Sequence, residues 1–267
     1  DFSTLEKRKL FCKREFEINS KFSPEIYLEI LPITENDGKI HIGGKGKPIE
    51  YCIKMKRIPQ KNLMTNILDQ KRIGENDIEN IVDMLLFYYK KAESGPQIEK
   101  NATFEITKFN WDENFEQTEE FLNITIKKNN FSQIKKRVWG FMDCNKEFFE
   151  KRIKDGRVKW CHGDLHSGNI FIQDGKVFIF DAIEFNERFA CSDIANDIAF
   201  LAMDLDYRCF PELGQYFVQK YVEKSKDNEI LKLIDFYKCY RSYVRGKVVS
   251  FRLNDESISD EEKSKAK

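Results

Sequence analysis

The chain has 267 residues, with 45 Lys plus Arg against 45 Asp plus Glu, so its formal charge is zero. That balance excludes a generic electrostatic grip on nucleic acid or an anionic membrane, and the length suffices for one large domain or two lobes with their own cores. Seven scattered cysteines without a C-x-x-C pair, no apolar run near the roughly 20 residues of a membrane helix, and no signal peptide fit a reducing cytoplasm. From the N-terminus, residues 5–21 read as a helix, with Ser3 or Thr4 as N-cap and Leu10, Phe11, Phe16 and Ile18 at apolar positions. A strand follows over 26–33 and another over 49–58, punctuated by the turn sequences Glu35-Asn36-Asp37-Gly38 and Gly43-Gly44-Lys45-Gly46. The second of these is not a phosphate-binding P-loop, because His41 stands where the first Gly belongs and Pro48 where a Ser or Thr would meet Mg²⁺. Ile78, Ile81, Val82, Leu85, Leu86 and Tyr89 form the apolar stripe of a helix over 77–92. Two more helices are expected over 111–127 and 131–154, with Trp139, Phe141, Phe148 and Phe149 as packing anchors. Short apolar strands follow at 158–161, 170–173 and 177–180, the last two joined by Asp174-Gly175. Helices over 191–206, 211–224 and 230–253 close the chain before a charged tail, 254–267, which is expected to be frayed or disordered.

The most informative stretch is His162-Gly163-Asp164-Leu165-His166-Ser167-Gly168-Asn169, followed twelve residues later by Asp181. Asp164 and Asn169 have the D-x-x-x-x-N spacing of a kinase catalytic loop, and Asp181 lies at the end of the hairpin that follows. Phosphoryl transfer needs a carboxylate to take the proton of the attacking hydroxyl, which suits Asp164. It also needs oxygen ligands for Mg²⁺ on the ATP phosphates, which suits Asn169 and Asp181. His162 fits a loop-fixing role, donating to a backbone carbonyl, and His166 occupies the place where Ser/Thr protein kinases carry Lys.

In its His-Gly-Asp-Leu-His-x-x-Asn form this segment resembles the aminoglycoside phosphotransferase and choline kinase group. The continuations from Phe180 through Phe189, from Asp193 through Leu205, and from Tyr240 through Lys247, with the opening Asp1 to Arg8, narrow the likeness. They are similar to a bacterial branch of that group with uncertain substrates, some of whose members are fused to a P-loop ATPase domain. The resemblance implies an α+β, two-lobed protein-kinase-like fold. A partial N-lobe over 1–58 would hold a helix, two strands and the hinge, and a helical C-lobe would span 59–253. It implies ATP and Mg²⁺ as cofactors, transfer to a hydroxyl of a small molecule, no nucleic-acid or membrane partner, and a P-loop ATPase domain as a possible one. The strands that carry the nucleotide-binding lysine in such kinases are not evident before residue 5, so the chain is expected to be incomplete at its N-terminus.

Under that reading Lys54, Met55 and Lys56 enter the hinge and meet adenine through their backbone. The alternative takes Tyr51-Cys52-Ile53-Lys54 as the lysine strand itself, which would make Lys54 the nucleotide lysine. Glu15 is the candidate partner of the nucleotide lysine, in competition with Glu17 and with a role as a solvated helix residue. Glu184 is placed to serve a second metal or the acceptor, or else to pair with Arg188. Asp193 is a helix cap and Asp197 a support for the catalytic loop. Arg241, with Tyr240, Tyr243, Arg245 and Lys247, lines the acceptor side or forms a helix with core aromatics and a basic face. The expected function is an ATP-dependent small-molecule phosphotransferase, the alternative a nucleotide-binding pseudokinase or regulatory module.

Overall fold

A computed structural model describes residues 2–265. Its first helix, α1 (Leu5–Phe22), starts where Thr4 turns extended and its hydroxyl accepts the N–H of Lys7 at 3.3 Å. The cap satisfies one of the amides a helix start leaves free. Ile18, Asn19 and Phe22 are the buried face of α1, which rests on an antiparallel sheet of β1 (Tyr27–Asn36), β2 (Lys39–Ile42) and β3 (Lys47–Met55), in the order β2-β1-β3. Sequence periodicity misses β2 because all four of its residues are exposed, which leaves no burial alternation to read. It forms because Asp37 and Gly38 both adopt left-handed backbone, φ 51° and 73°, and fold Lys39 back opposite Asn36. The strand expected to run to residue 58 stops at Met55. There the chain leaves the ladder, with Lys56 N–H donating to Ile26 O at 2.8 Å and Ile58 turning into a small core with Ile26 and Tyr27.

A short α2 (Met64–Asp69), not anticipated in the sequence, buries Met64, Ile67 and Leu68. Next comes α3 (Glu75–Lys91), whose Asp77 carboxylate accepts Gly74 N–H at 2.9 Å and fixes its start. The stripe Ile78, Ile81, Val82, Leu85 and Tyr89 is buried as expected. After α4 (Pro96–Glu99) the structure corrects two helix assignments. The first helix, α5 (Phe104–Glu116), begins earlier because Thr103 caps it through Ile106 N–H. It ends before 127, where a 3-10 turn over Glu119–Phe121 and left-handed Asn123, φ 62°, break the rise. The second is two helices, α6 (Lys128–Cys144) and α7 (Lys146–Lys154), separated at Asn145, whose φ of −123° is not helical.

Then β4 (Val158–Trp160) leads to the motif, and β5 (Ile170–Gln173) and β6 (Lys176–Ile179) form the expected hairpin, with Asp174 and Gly175 left-handed at its tip. Past α8 (Glu187–Ala190) the chain does not enter a helix at 191. Cys191–Asp193 instead forms β7, paired antiparallel with β4, and only then does α9 (Ile194–Tyr207) begin. α9 is buried on every side through Leu205, and α10 (Pro211–Ser225) and α11 (Leu231–Phe251) pack against it. The main core joins α3, α5, α9, α10 and α11, with the Trp111 indole stacked on Phe115 and edge-on to Tyr240 and Tyr243. The tail expected to be frayed carries a short exposed helix, α12 (Asp260–Lys265), and residues 266 and 267 lie outside the described residues. The architecture is α+β, with small antiparallel sheets and a dominant helical part. Among the described residues no helix is long and apolar enough to cross a membrane.

Candidate active site

The loop between β4 and β5 is held from below by α9. Asp197, fully buried one turn into that helix, takes His162 N–H at 2.7 Å, Gly163 N–H at 2.9 Å and the Tyr89 hydroxyl at 2.9 Å. Seven residues on, two turns along the same face, buried Asp204 accepts Ser167 N–H at 3.0 Å and the Ser167 hydroxyl, and pairs with Arg245 at 2.8 Å. Two carboxylates on one helix face therefore hold both ends of one loop. Gly163 must be glycine. Its φ is +82°, and a Cβ would lie 3.1 Å from both Ile183 and the Phe189 carbonyl.

His162 is completely buried. Its Nε2 donates to Phe180 O at 2.9 Å and its Nδ1 accepts Asp164 N–H at 3.2 Å, which assigns the neutral tautomer. Burial lowers its pKa against the pull of Asp197 and Asp164, so the ring stays neutral and works as a two-ended spacer. His166 Nδ1 accepts Gly168 N–H at 3.0 Å, and its Nε2 lies 3.3 Å from the Asp164 carboxylate. Burial raises the pKa of Asp164, but the His166 hydrogen bond, with the nearby charges of His166 and Arg241, turns the net shift downward. Asp164 is therefore ionised at neutral pH. The Asn169 amide donates to Asp164 O at 3.0 Å and Oδ2 at 3.2 Å. With both donations made to one residue, its Oδ1 remains as an acceptor.

Asp181 arrives beside this loop because Phe180 N–H donates to Asn169 O at 3.1 Å and Ile183 N–H to His162 O at 2.9 Å. From the other side α1 clamps the same segment. Asn19 Oδ1 accepts Ala182 N–H at 2.8 Å, and the Ser23 hydroxyl donates to Ile179 O at 2.7 Å and accepts Ile179 N–H at 3.0 Å. Asp181 itself is left-handed, φ 64°, and exposed, its N–H donating to the Tyr27 hydroxyl oxygen at 3.3 Å. A non-glycine residue in that region is uncommon and clusters at functional sites.

Glu15, Met55 and Glu184 line one open cleft of about 360 Å³ together with Arg8 and Tyr51. Glu15 is pushed up to about 6 by burial, then by the charges of Glu184 and Asp181. Glu184 is also raised, chiefly by burial and further by Asp181. Glu15, Glu184 and Asp181 form no ion pair among the described residues, so they constitute an acidic cluster without a paired cation. Arg188 does not pair with Glu184. Its partner is Glu113, at 2.8 Å. Lys54 is not brought to the cluster. Its ammonium pairs with Glu29 across the sheet at 2.7 Å on the open surface, which removes the geometric basis for reading it as the nucleotide lysine. Lys56 gives its N–H to Ile26, so that N–H is not free for a hinge contact. Asp193 caps α9 through Ala195 N–H at 2.8 Å and is locked to buried Arg152 by two bonds of 2.7 Å. Arg241 is buried and donates to Asn196 Oδ1 at 2.7 Å.

No family model matches the chain. Uncharacterized proteins of Mycobacterium tuberculosis and Mycobacterium bovis are 29% identical to it over 254 residues, which is 95% of this chain and 49% of theirs. The chain spans about half the length of these curated relatives.

Three site-shaping residues escape sequence reading: Asp204, Asn19 and Ser23. For Asp204 a signal existed, since an Asp seven residues after Asp197 in an otherwise apolar helix must face the same way and find a partner. Asn19 and Ser23 end a helix far from the motif in sequence, and only the fold shows what they touch.

Proposed function

We propose that the chain carries the catalytic centre of an ATP-dependent phosphotransferase with a two-lobed, kinase-like arrangement. The sheet and α1 form the smaller lobe, and residues 59–253 form the larger one. One observation carries the reading. A rigid loop presents an ionised Asp164 with Asn169 locked to it, beside the Asp181 segment, and Asp181 and its two acidic neighbours form no ion pair among the described residues. The donor set fits Mg²⁺, which takes one or two carboxylate or amide oxygens and completes its shell with water and substrate phosphates. No group of three or more His, Cys, Asp or Glu among the described residues could hold a metal unaided. Asn169 and Asp181 would hold the ion, and when bound it offsets the charge of the nucleotide phosphates.

The rest follows from the protein. The cleft bordered by Glu15, Met55 and Glu184 receives the nucleotide. Asp164 accepts a hydrogen bond from the acceptor hydroxyl and orients it in line with the γ-phosphorus. The hydroxyl oxygen bonds to that phosphorus, the bond to the oxygen bridging to the β-phosphate breaks, and the hydroxyl proton passes to Asp164. His166 and Asn169 fix the Asp164 carboxylate, so little reorganisation accompanies the step. His162 positions rather than reacts, since both its nitrogens are engaged with backbone. The seven cysteines are free, which fits a cytoplasmic enzyme. A P-loop ATPase domain in a longer polypeptide is the partner we propose.

The test is γ-phosphate transfer from ATP to a panel of small hydroxylated acceptors. Asp164→Asn is expected to lower kcat by about 10²-fold or more with nucleotide affinity retained. Full activity in Asp164→Asn overturns the reading, and nucleotide binding without any transfer would favour a pseudokinase.

A further inference from the structure

Next to the catalytic loop, on the side of α11, lies a small polar cavity that the transfer chemistry does not use. Its lining includes Asn101, Asn110, Arg188, Asn196, Tyr240 and Arg241, and its free space is about 30 Å³. That is room for one small group and not for a whole substrate.

The cavity is unusually rich in unspent hydrogen-bonding capacity. Arg241 is only 7% exposed, yet it forms no ion pair among the described residues. Its Nε is bonded to Asn196, and its guanidinium lies over Phe200, 4.6 Å from the ring centroid. Arg188 gives Nη2 to Glu113, while its Nη1 is buried with no hydrogen-bond partner among the described residues. Asn110 Oδ1 is a second such buried atom. Burying such groups unpaired is costly, and a complementary ligand removes the cost. Among the described residues no carboxylate forms an ion pair with Arg241. Glu113 is committed to Arg188, Asp193, though it lines the cavity, is bonded to Arg152, and Asp164 interacts with Arg241 through its charge without an ion-pair contact.

The cavity is also tied to Asp164. Adjacent residues of α9 serve the two places, Asn196 bonding Arg241 and Asp197 bonding His162 and Gly163. The Phe200 ring is shared as well, with Arg241 against it and the His166 ring 5.5 Å away, and His166 in turn contacts the Asp164 carboxylate.

We propose that this cavity is an anion subsite, and that the phosphate acceptor is a hydroxylated compound carrying a carboxylate or phosphate which docks between Arg241 and Arg188 while its hydroxyl reaches Asp164. The acceptor part of this inference rests on the phosphotransferase reading, and the anion site does not. Guanidinium donors suit either oxyanion through paired N–H bonds, and Asn110 Oδ1 accepts from a neighbouring ligand hydroxyl.

Two measurements separate the parts. Titration of the ATP-free protein with inorganic phosphate and, separately, acetate, at constant ionic strength, is expected to give saturable binding of at least one anion. Arg241→Gln and Arg188→Gln should each weaken it about tenfold or more while leaving the far-ultraviolet spectrum unchanged. Absence of saturable binding, or equal affinity in both variants, overturns the anion site. Transfer assays then compare matched acceptors, glycerol against glycerol 3-phosphate and glucose against glucuronate. Preference for the charged member, lost in Arg241→Gln, supports the acceptor class, and the matched pair that responds distinguishes phosphate from carboxylate. Preference for neutral acceptors overturns the class. Arginine-dependent anion binding with no transfer to any acceptor keeps the site and removes the phosphotransferase reading.

Discussion

Glu15 shows how a single side chain reports the burial and charge around it. On a charged helix it reads from the sequence as a solvated residue as readily as a functional one. The structure places it partly buried near Glu184 and Asp181, and its pKa of about 6 follows from burial and those two charges. The sign is definite. A carboxyl raised above its ordinary value makes the fold bind extra protons between its unfolded value and about 6. Its penalty on stability therefore appears as pH rises through that window and is complete above it. Glu15→Gln should raise the melting temperature of the ligand-free protein at pH 7.5. A penalty of about 1 kcal/mol, discounted for solvent, corresponds to roughly 2–4 °C. At pH 4.5 the gain should vanish. Calorimetric scans at both pH values check it, and an equal shift at each would refute the electrostatic account. His162 runs the other way. Its lowered pKa adds stability above its ordinary value near 6.5 that is lost as pH falls below it.

Among the elements, those with a sequence signature and those without divide on physical grounds. The β5–β6 hairpin was legible because Asp174-Gly175 can take two left-handed positions between alternating apolar runs, and α3 because its stripe repeats at helical spacing. The loop that joins Asn169 to Asp164 beside the Asp181 segment was legible from the spacing of those residues, and the cap at Asp193 from its place before an apolar helix. β2 was not, since nothing in it is buried, and β7 was not, since its ladder partner β4 lies over thirty residues away. The breaks at Gln117 and Asn145 were hidden because aromatic residues continue on both sides and mask the change of helix. Long-range polar contacts were invisible for the same reason. The clamp of α1 on the Asp181 segment is the most consequential of them, and it can be measured. Asn19→Ala strips the partner from buried Ala182 N–H and should cost about 1–3 kcal/mol in urea unfolding. The same variant should weaken Mg²⁺-dependent nucleotide binding, because the segment carrying Asp181 loses its tether. A cost below about 0.5 kcal/mol would show that the clamp is dispensable.

Across the whole molecule, no helix among the described residues is long and apolar enough to cross a membrane. The architecture is α+β, and two of its cores meet at the β5–β6 hairpin, whose Phe171 and Phe178, with Phe180 after it, pack against Ile26, Tyr27 and Ile58. At that junction α1, the sheet and α9 each contribute restraints, so the loop with Asp164 and the segment with Asp181 are fixed from three directions. Such preorganisation is what phosphoryl transfer requires of a protein, since positioning and charge compensation supply most of the rate. We propose that Asp181 and Asn169 bind a metal-nucleotide complex. Calorimetric titration of the chain with ATP, with and without Mg²⁺, beside an Asp181→Asn variant shown to be folded, tests this. Binding that requires Mg²⁺ and weakens about tenfold or more in the variant is the predicted result. Absence of binding, or binding indifferent to Mg²⁺ and to Asp181→Asn, would contradict it.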